Sequence, residues 1–324
     1  MNILKKVGLT ALGTSLIATS AFAIDYSVTG GASITYAGTT GNDTGDGFTM
    51  NDEINFGASG ELDNGWVVSV AMQLDNNERV GTAHMDNRSI SIDMGDVGTL
   101  SFVGHGGSAA MGNVDDVTPA VYGESWDILP AGNKGEASPA GAIGSATNDD
   151  TWFYSNSSLL DGLTVSLSYV PSDGATEVDS STDWALAYSG IDGLTVGIAR
   201  GENNAGAAAT QTDNTTMYAV YAYGPITVGY QQSEADASTT EASDDFTAVG
   251  VTYAITENLS VGYNESVYDF GDQGLDQENV ALGFSYTSGG MTISGAMAEE
   301  SNRNGSTAQV NDVEGYEVAV SFAF

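Results

Sequence analysis

Four carboxylates crowd one stretch of the chain: Asp115, Asp116, Glu124 and Asp127, with Lys134 the base nearest them in sequence. Carboxylates at that density can draw cations by charge, chelate a hard cation such as calcium, or work as a general acid and base. The last chemistry needs a positioned histidine or a nucleophile with a base beside it. There are two histidines, His84 and His105, and both fall at the edges of loops. The "HGGS" run from His105 to Ser108 is too lax for a nucleophile signature, so no hydrolytic constellation emerges. Chelation has candidates such as "DFGDQGLDQE", Asp269 to Glu278, but the run matches neither an EF-hand nor a nonapeptide repeat. No cofactor is called for, and calcium has no assignable ligand set. Attraction of cations is the chemistry these residues favour, and it requires a scaffold that holds acids around a path for water.

That scaffold is written in a repeated phrase. "DGLTVSLSYV" at Asp161 returns as "DGLTVGIAR" at Asp192, "GPITVGYQQ" at Gly224, "ENLSVGYNE" at Glu257 and "GGMTISGAM" at Gly289. "NGWVVSVAMQL" at Asn64 and "VGTLSFVG" at Val97 are earlier versions. Each is a tight turn followed by apolar–small alternation. The final strand is the clearest case: Tyr316, Val318, Val320, Phe322 and Phe324 share one parity, and Glu317, Ala319, Ser321 and Ala323 share the other. Successive strand side chains point to opposite faces, so one face is greasy and the other small or polar. A soluble sandwich also alternates. Here the strands run about nine to eleven residues, enough to cross a bilayer when tilted, and the second face is rich in Gly, Ala, Ser and Asn rather than charge. Trp66, Trp152, Tyr169, Trp184, Tyr223 and Tyr286 cluster near strand ends, as interfacial girdles do.

Connections alternate in length. Seven short turns (Asp63 to Gly65, Gly95 to Gly98, Asp161-Gly162, Asp192-Gly193, Gly224-Pro225, Thr256 to Asn258, Ser288 to Gly290) alternate with eight longer polar loops at roughly 38–50, 76–84, 104–150, 171–182, 201–215, 233–245, 269–277 and 300–313. They join sixteen antiparallel strands, the first at about Asp25 to Tyr36. The expected fold is therefore all-β, a 16-stranded antiparallel transmembrane β-barrel, closed because lipid cannot satisfy a free strand edge. At that size the barrel encloses an aqueous channel. One loop breaks the pattern: 104–150 carries three of the five prolines (Pro119, Pro130, Pro139) together with Val117, Val121, Tyr122, Trp126, Ile128 and Leu129. Such length and apolar content suit a long third loop folded into the lumen, with its apolar side on the wall and its acids towards the water.

The N-terminus reads as a secretory leader over residues 1–23: Lys5 and Lys6, an apolar stretch from Val7, then a small-residue cleavage site at Ala23. The mature domain, 24–324, carries a formal charge of −38, two below the −36 of the full chain because both leader lysines are lost. It contains no cysteine, so disulfides and lipid anchors on cysteine are excluded, and its five basic residues exclude nucleic acid as a partner.

"NRSISIDMGDVGTLSFVGHGG", Asn87 to Gly107, the seven-turn layout and the closing "SFAF" ending at Phe324 carry a resemblance to the Gram-negative general porin family in its alphaproteobacterial, trimeric form. The resemblance implies an outer-membrane channel for passive diffusion of ions and small hydrophilic solutes, a homotrimer, contact with lipopolysaccharide, and a constriction built by the loop at 104–150. It also implies that the terminal aromatic Phe324, with Tyr316 and Phe322, is read by the barrel-insertion machinery. The sequence departs from the family in charge. Arginines that would oppose the loop acids are few: Arg79, with His105 where a Gly-Arg pair is common, while Arg88 and Arg200 fall on the greasy parity. Glu53, Glu61, Asp75 and Asp93 fall on the lumen parity of the early strands. The expected pore is mostly negative and cation-selective. The alternatives are a calcium-binding outer-membrane adhesin and a barrel hydrolase.

Overall fold

The computed structural model describes residues 24–40, 47–75, 85–107, 109–128, 143–144, 149–172, 179–204, 211–237, 243–271, 275–305 and 312–324. Sixteen strands are described: β1 (Asp25–Thr40), β2 (Gly47–Glu61), β3 (Val67–Asp75), β4 (Met85–Asp93), β5 (Thr99–His105), β6 (Thr151–Leu160), β7 (Leu163–Val170), β8 (Ser181–Ile191), β9 (Leu194–Asn203), β10 (Thr212–Tyr223), β11 (Ile226–Ala237), β12 (Asp244–Ala254), β13 (Leu259–Asp269), β14 (Gln277–Ser288), β15 (Met291–Ser301) and β16 (Val313–Ala323). Each pairs antiparallel with its neighbour in sequence, and β1 pairs with β16, so the sheet closes on itself. Among the described residues no helix is long and apolar enough to cross a membrane, which says nothing about strands.

The burial pattern is the reverse of a soluble protein's. On β14, Leu282, Phe284 and Tyr286 are 59%, 37% and 41% exposed, while Gln277, Asn279 and Ala281 between the same neighbours are at most 1% exposed. Water would penalise that outer face; hydrocarbon would not. Trp66, Trp152, Tyr169, Trp184, Tyr223 and Tyr286 are all on the exposed side, whereas Trp126 of the long loop is buried. The short turns work as their composition requires. Gly162 and Gly193 sit at φ +76 and +73, a region other residues enter at a cost, and each accepts a backbone hydrogen bond from the strand after next (2.8 Å from Ser189 and from Ala222).

The strands outrun the expected boundaries on the long-loop side. β1 continues to Thr40 and β2 begins at Gly47, so the loop placed at 38–50 is narrower. The same holds for 201–215, where β9 reaches Asn203 and β10 starts at Thr212, and for 233–245, where β11 reaches Ala237 and β12 starts at Asp244. These extensions lie beyond the apolar belt. Glu234 and Asp236 on β11 and Asp213 on β10 take the outward positions there, so the greasy alternation fades although the ladder continues. Strand lengths consequently run from seven residues (β5) to sixteen (β1), a wider range than nine to eleven.

Candidate functional site

The long connection between β5 and β6 is held along the small, polar face of the wall, opposite the exposed apolar one. The Ala110 amide donates to Ser168 Oγ of β7 at 2.9 Å. Val117 donates to Gln231 Oε1 of β11 at 3.2 Å, and Gln231 Nε2 returns a bond to the Asp115 carbonyl. Ser125 donates to Asn264 Oδ1 of β13 at 2.6 Å, and its hydroxyl meets Ser266 Oγ at 3.3 Å. On the returning limb, Asn214 of β10 donates to the Gly144 carbonyl. A loop without its own ladder must find partners for its buried backbone groups, and Gln231, Asn264 and Ser266, each at most 2% exposed, supply them. Apolar anchors complete the seat. Trp126 stacks edge-on to Phe246 at 5.0 Å, Ile128 packs on Ala281, Ala296 and Ala298, and Met111 and Val114 pack on Ala185 and Ala199.

Four glycines make room for this. Gly229 pairs with Gly250 across β11 and β12, and Gly262 with Gly283 across β13 and β14. Pro119 lies over the first pair and Val121 over the second; a methyl at Gly262 would stand 2.9 Å from Val121 Cγ2, and one at Gly283 would overlap the Val121 carbonyl. All four recur in sequence as a glycine between two outward apolar residues: "VGY" at Val228 and Val261, "VGV" at Val249, "LGF" at Leu282. In sequence these glycines look like ordinary alternation, because nothing local to them marks the loop that lies over them.

The loop's other side presents charge. Carboxylate oxygens of Asp116, Glu124 and Asp127 lie within 4.8 Å of one another. Asp116 and Asp127 are exposed and Glu124 is half-buried, while a turn closed by Asp127 N to Glu124 O (3.0 Å) sets the last two side by side. Although Asp116 is exposed as a whole, the surrounding chain strips water from part of its carboxyl. This desolvation, then the charges of Glu124, Asp127 and Asp115, raise its pKa to about 7. The same partial loss of water also raises Glu124 and Asp127. Asp115 stands apart from this trio: it is turned against Gly144 on the returning limb, and burial, with a smaller push from Asp183, raises it to about 6. Three oxygens so placed can share a proton or ligate one hard divalent cation.

The remaining sequence candidates divide. Glu53 and Asp75 are cross-strand neighbours on β2 and β3, and Glu53 is bracketed by Gln73 Nε2 (2.6 Å) and Asn55 Nδ2 (3.3 Å). Glu61 and Asp93 sit instead at the short-turn ends of β2 and β4, where Asp93 accepts from Gly95 N at 2.9 Å, so the structure does not bring them to the loop acids. His105 Nδ1 lies 2.6 Å from Asp149 Oδ1, tying together the two ends of the long loop. Arg79, His84, Leu129, Lys134, Pro130 and Pro139 lie outside the described residues. Arg200 pairs with Asp213 at 3.0 Å on the outer face, and Arg88, exposed on the same parity as Ile90, donates to the Gly104 carbonyl at 3.2 Å. Arg303, not singled out from sequence, is 2% exposed and gives its Nε to Glu300 Oε2 at 2.8 Å. Tyr316, Phe322 and Phe324 are 36%, 47% and 74% exposed on the outer face.

The sequence matches the Gram-negative porin family over residues 8–306, nearly its whole length. The chain is a Gram-negative porin. It is therefore a channel of the outer membrane and not an enzyme. No curated protein matches it in sequence. Among solved structures, this porin is similar in fold to an anion-selective porin from Comamonas acidovorans (14% identity, TM-score 0.70, 93% of this chain and 100% of that one). It is similar also to a mutant of the Rh. blastica porin (18% identity, TM-score 0.65, 93% and 100%) and to a Salmonella typhi OmpF complex with daunomycin (12% identity, TM-score 0.66, 92% and 97%).

Proposed function

We propose that the long loop lies across the lumen as the constriction of this porin, and that the water-filled channel passes cations in preference to anions along with small hydrophilic solutes. The observation that carries the reading is an imbalance. The trio Asp116, Glu124 and Asp127 faces away from the loop's seat, while among the described arginines Arg88 and Arg200 are on the outer face and Arg303 is buried beside Glu300. A pore lined by more acids than bases attracts cations electrostatically. Glu53 and Asp75 on the early strands add charge of the same sign. Delivery follows from the leader at 1–23, with the outward aromatics Tyr316, Phe322 and Phe324 offered to the insertion machinery. The outer face is offered to lipid and lipopolysaccharide and to the other subunits of a homotrimer. Calcium at the trio is compatible with the spacing but is not required by this reading.

Single-channel recording in planar bilayers tests the function. Discrete ohmic steps are expected, with a reversal potential of cationic sign across a salt gradient, and deletion of residues 110–130 should raise conductance while the barrel remains inserted. Unchanged conductance on deletion would place the loop outside the passage, and an anionic reversal potential would reverse the selectivity.

Acidity should tune the same quantity. A carboxyl with a raised pKa carries its charge only above that pKa, so Asp116 (about 7) and then Asp115 (about 6) are neutralised as pH falls. Cation preference is expected to weaken progressively from pH 8 to pH 5, a window in which unperturbed carboxyls stay ionised. Reversal potentials recorded across that range check it; a flat profile would mean that these acids do not meet the permeating ions.

A further inference from the structure

We propose that Tyr122 and Glu317 form a clasp fixing where the long loop holds its acidic trio, which makes both positioning residues for ion passage; the proposal rests on the loop being the constriction. The Tyr122 hydroxyl donates to Glu317 Oε2 of β16 at 2.7 Å, joining residues 195 apart in sequence. The path between them is cleared by small residues. Gly283 of β14 pairs with Ala296 of β15, and Ala296 pairs with Glu317, so the three form one row across three strands. Val121 rests its carbonyl over Gly283, and the Tyr122 ring packs on the cluster that includes Ala296. Two strand spacings, roughly 9–10 Å, are what a tyrosine and a glutamate can bridge together. A bulkier side chain in the middle of the row would block the ring.

Two further observations show that the loop is committed to this contact. Tyr122 adopts φ +92, a conformation that costs a non-glycine residue energy and persists only where its surroundings enforce it. Burial, reinforced by Glu317, raises the pKa of its hydroxyl, which keeps it a donor at any working pH. The seam matters as well. Every other side-chain hydrogen bond described above from the loop's first limb runs to β7, β11 or β13, whereas this one reaches β16 beside the closure with β1. Tyr122 lies between Asp116 and Glu124 in the chain, so releasing it frees the segment that sets their spacing.

The test compares Tyr122→Phe, Glu317→Ala and Glu317→Gln in the full-length protein by single-channel recording, with barrel folding verified by the mobility of unboiled samples on gels. Tyr122→Phe and Glu317→Ala are expected to raise the closed-to-open ratio at fixed voltage by about tenfold, in line with loss of a hydrogen bond to a charged group. Glu317→Gln should stay close to the parent, because an amide oxygen still accepts the hydroxyl. Parental gating in Tyr122→Phe would overturn the clasp, as would equal disruption by Glu317→Gln and Glu317→Ala, which would assign the effect to charge. Tyr122→Phe also removes a hydrogen bond with Thr35, so Thr35→Val is recorded beside it should Glu317→Ala fail to fold. Parental gating in Thr35→Val leaves Glu317 as the partner that matters, and disruption equal to that of Tyr122→Phe would overturn the clasp. If deletion of 110–130 leaves conductance unchanged, the constriction reading fails and the clasp with it; if the deletion raises conductance while Tyr122→Phe gates like the parent, only the clasp fails.

Discussion

Neutralising Asp116→Asn, Glu124→Gln and Asp127→Asn together is expected to bring the reversal potential of the channel most of the way to zero. Charges more than about 8 Å from a permeating ion are largely screened in physiological salt, so the many acids of the outer rim contribute little. An ion passing within about 4 Å of one carboxylate, at an effective dielectric near 20, gains roughly 4 kcal/mol, several times thermal energy. The trio concentrates its charge within 4.8 Å, so a single passing ion meets all three groups. Glu265→Gln, Glu278→Gln and Glu299→Gln supply the control: the same change of charge on exposed outward positions of β13 to β15. Equal shifts in the two triple variants would show that overall charge, not this grouping, sets selectivity.

Filling the glycine seat should act more abruptly. Gly283→Val and Gly250→Val each place a side chain where loop backbone already lies, the Val121 carbonyl in one case and the Pro119 carbonyl in the other. Backbone cannot rotate away as a side-chain tip can, and overpacking of this kind costs about 1–3 kcal/mol or more. The hydrogen-bonded wall is the stiffer partner, so the loop moves, and if it is the proposed constriction it moves into the passage. Conductance is expected to fall severalfold in both variants with the barrel intact, whereas Gly60→Val, which meets nothing within 4 Å, should conduct like the parent. Parental conductance in Gly283→Val would mean that the loop yields elsewhere and that the seat does not define the passage.

The barrel was legible in the sequence because its rules are local. A turn that needs positive φ demands Gly, as at Gly162 and Gly193, and a wall between lipid and water demands alternation, as from Tyr316 to Phe322. Strand ends were less legible, since beyond the apolar belt residues such as Glu234 and Asp236 look like loop although they remain in the ladder. The loop acids could be gathered into one candidate, yet their grouping could not. Spacing along the chain gives no reason why Asp116 should join Glu124 and Asp127 while Asp115 turns to Gly144. Nor does it pair Tyr122 with Glu317 or bury Arg303 against Glu300, because those contacts depend on how a long connection is laid over distant strands.

The pairing of β1 with β16 also sets an order in time. Gly31 meets Ala323, and Gly30 and Phe324 exchange backbone hydrogen bonds at 2.8 and 3.0 Å, so the ring's final stitches join the two extremities of the sheet. Every other strand pair joins neighbours in sequence and can zip as soon as both are present. The seam cannot. Until β1 and β16 meet, the sheet carries two raw edges whose unpaired groups are costly in lipid and adhesive to any other strand nearby. Entropy adds little to that wait, since closing a longer loop costs only about 0.6 kcal/mol per doubling of its length. The hazard is instead one of lifetime: an unclosed cylinder must be sheltered for as long as its two end strands take to meet.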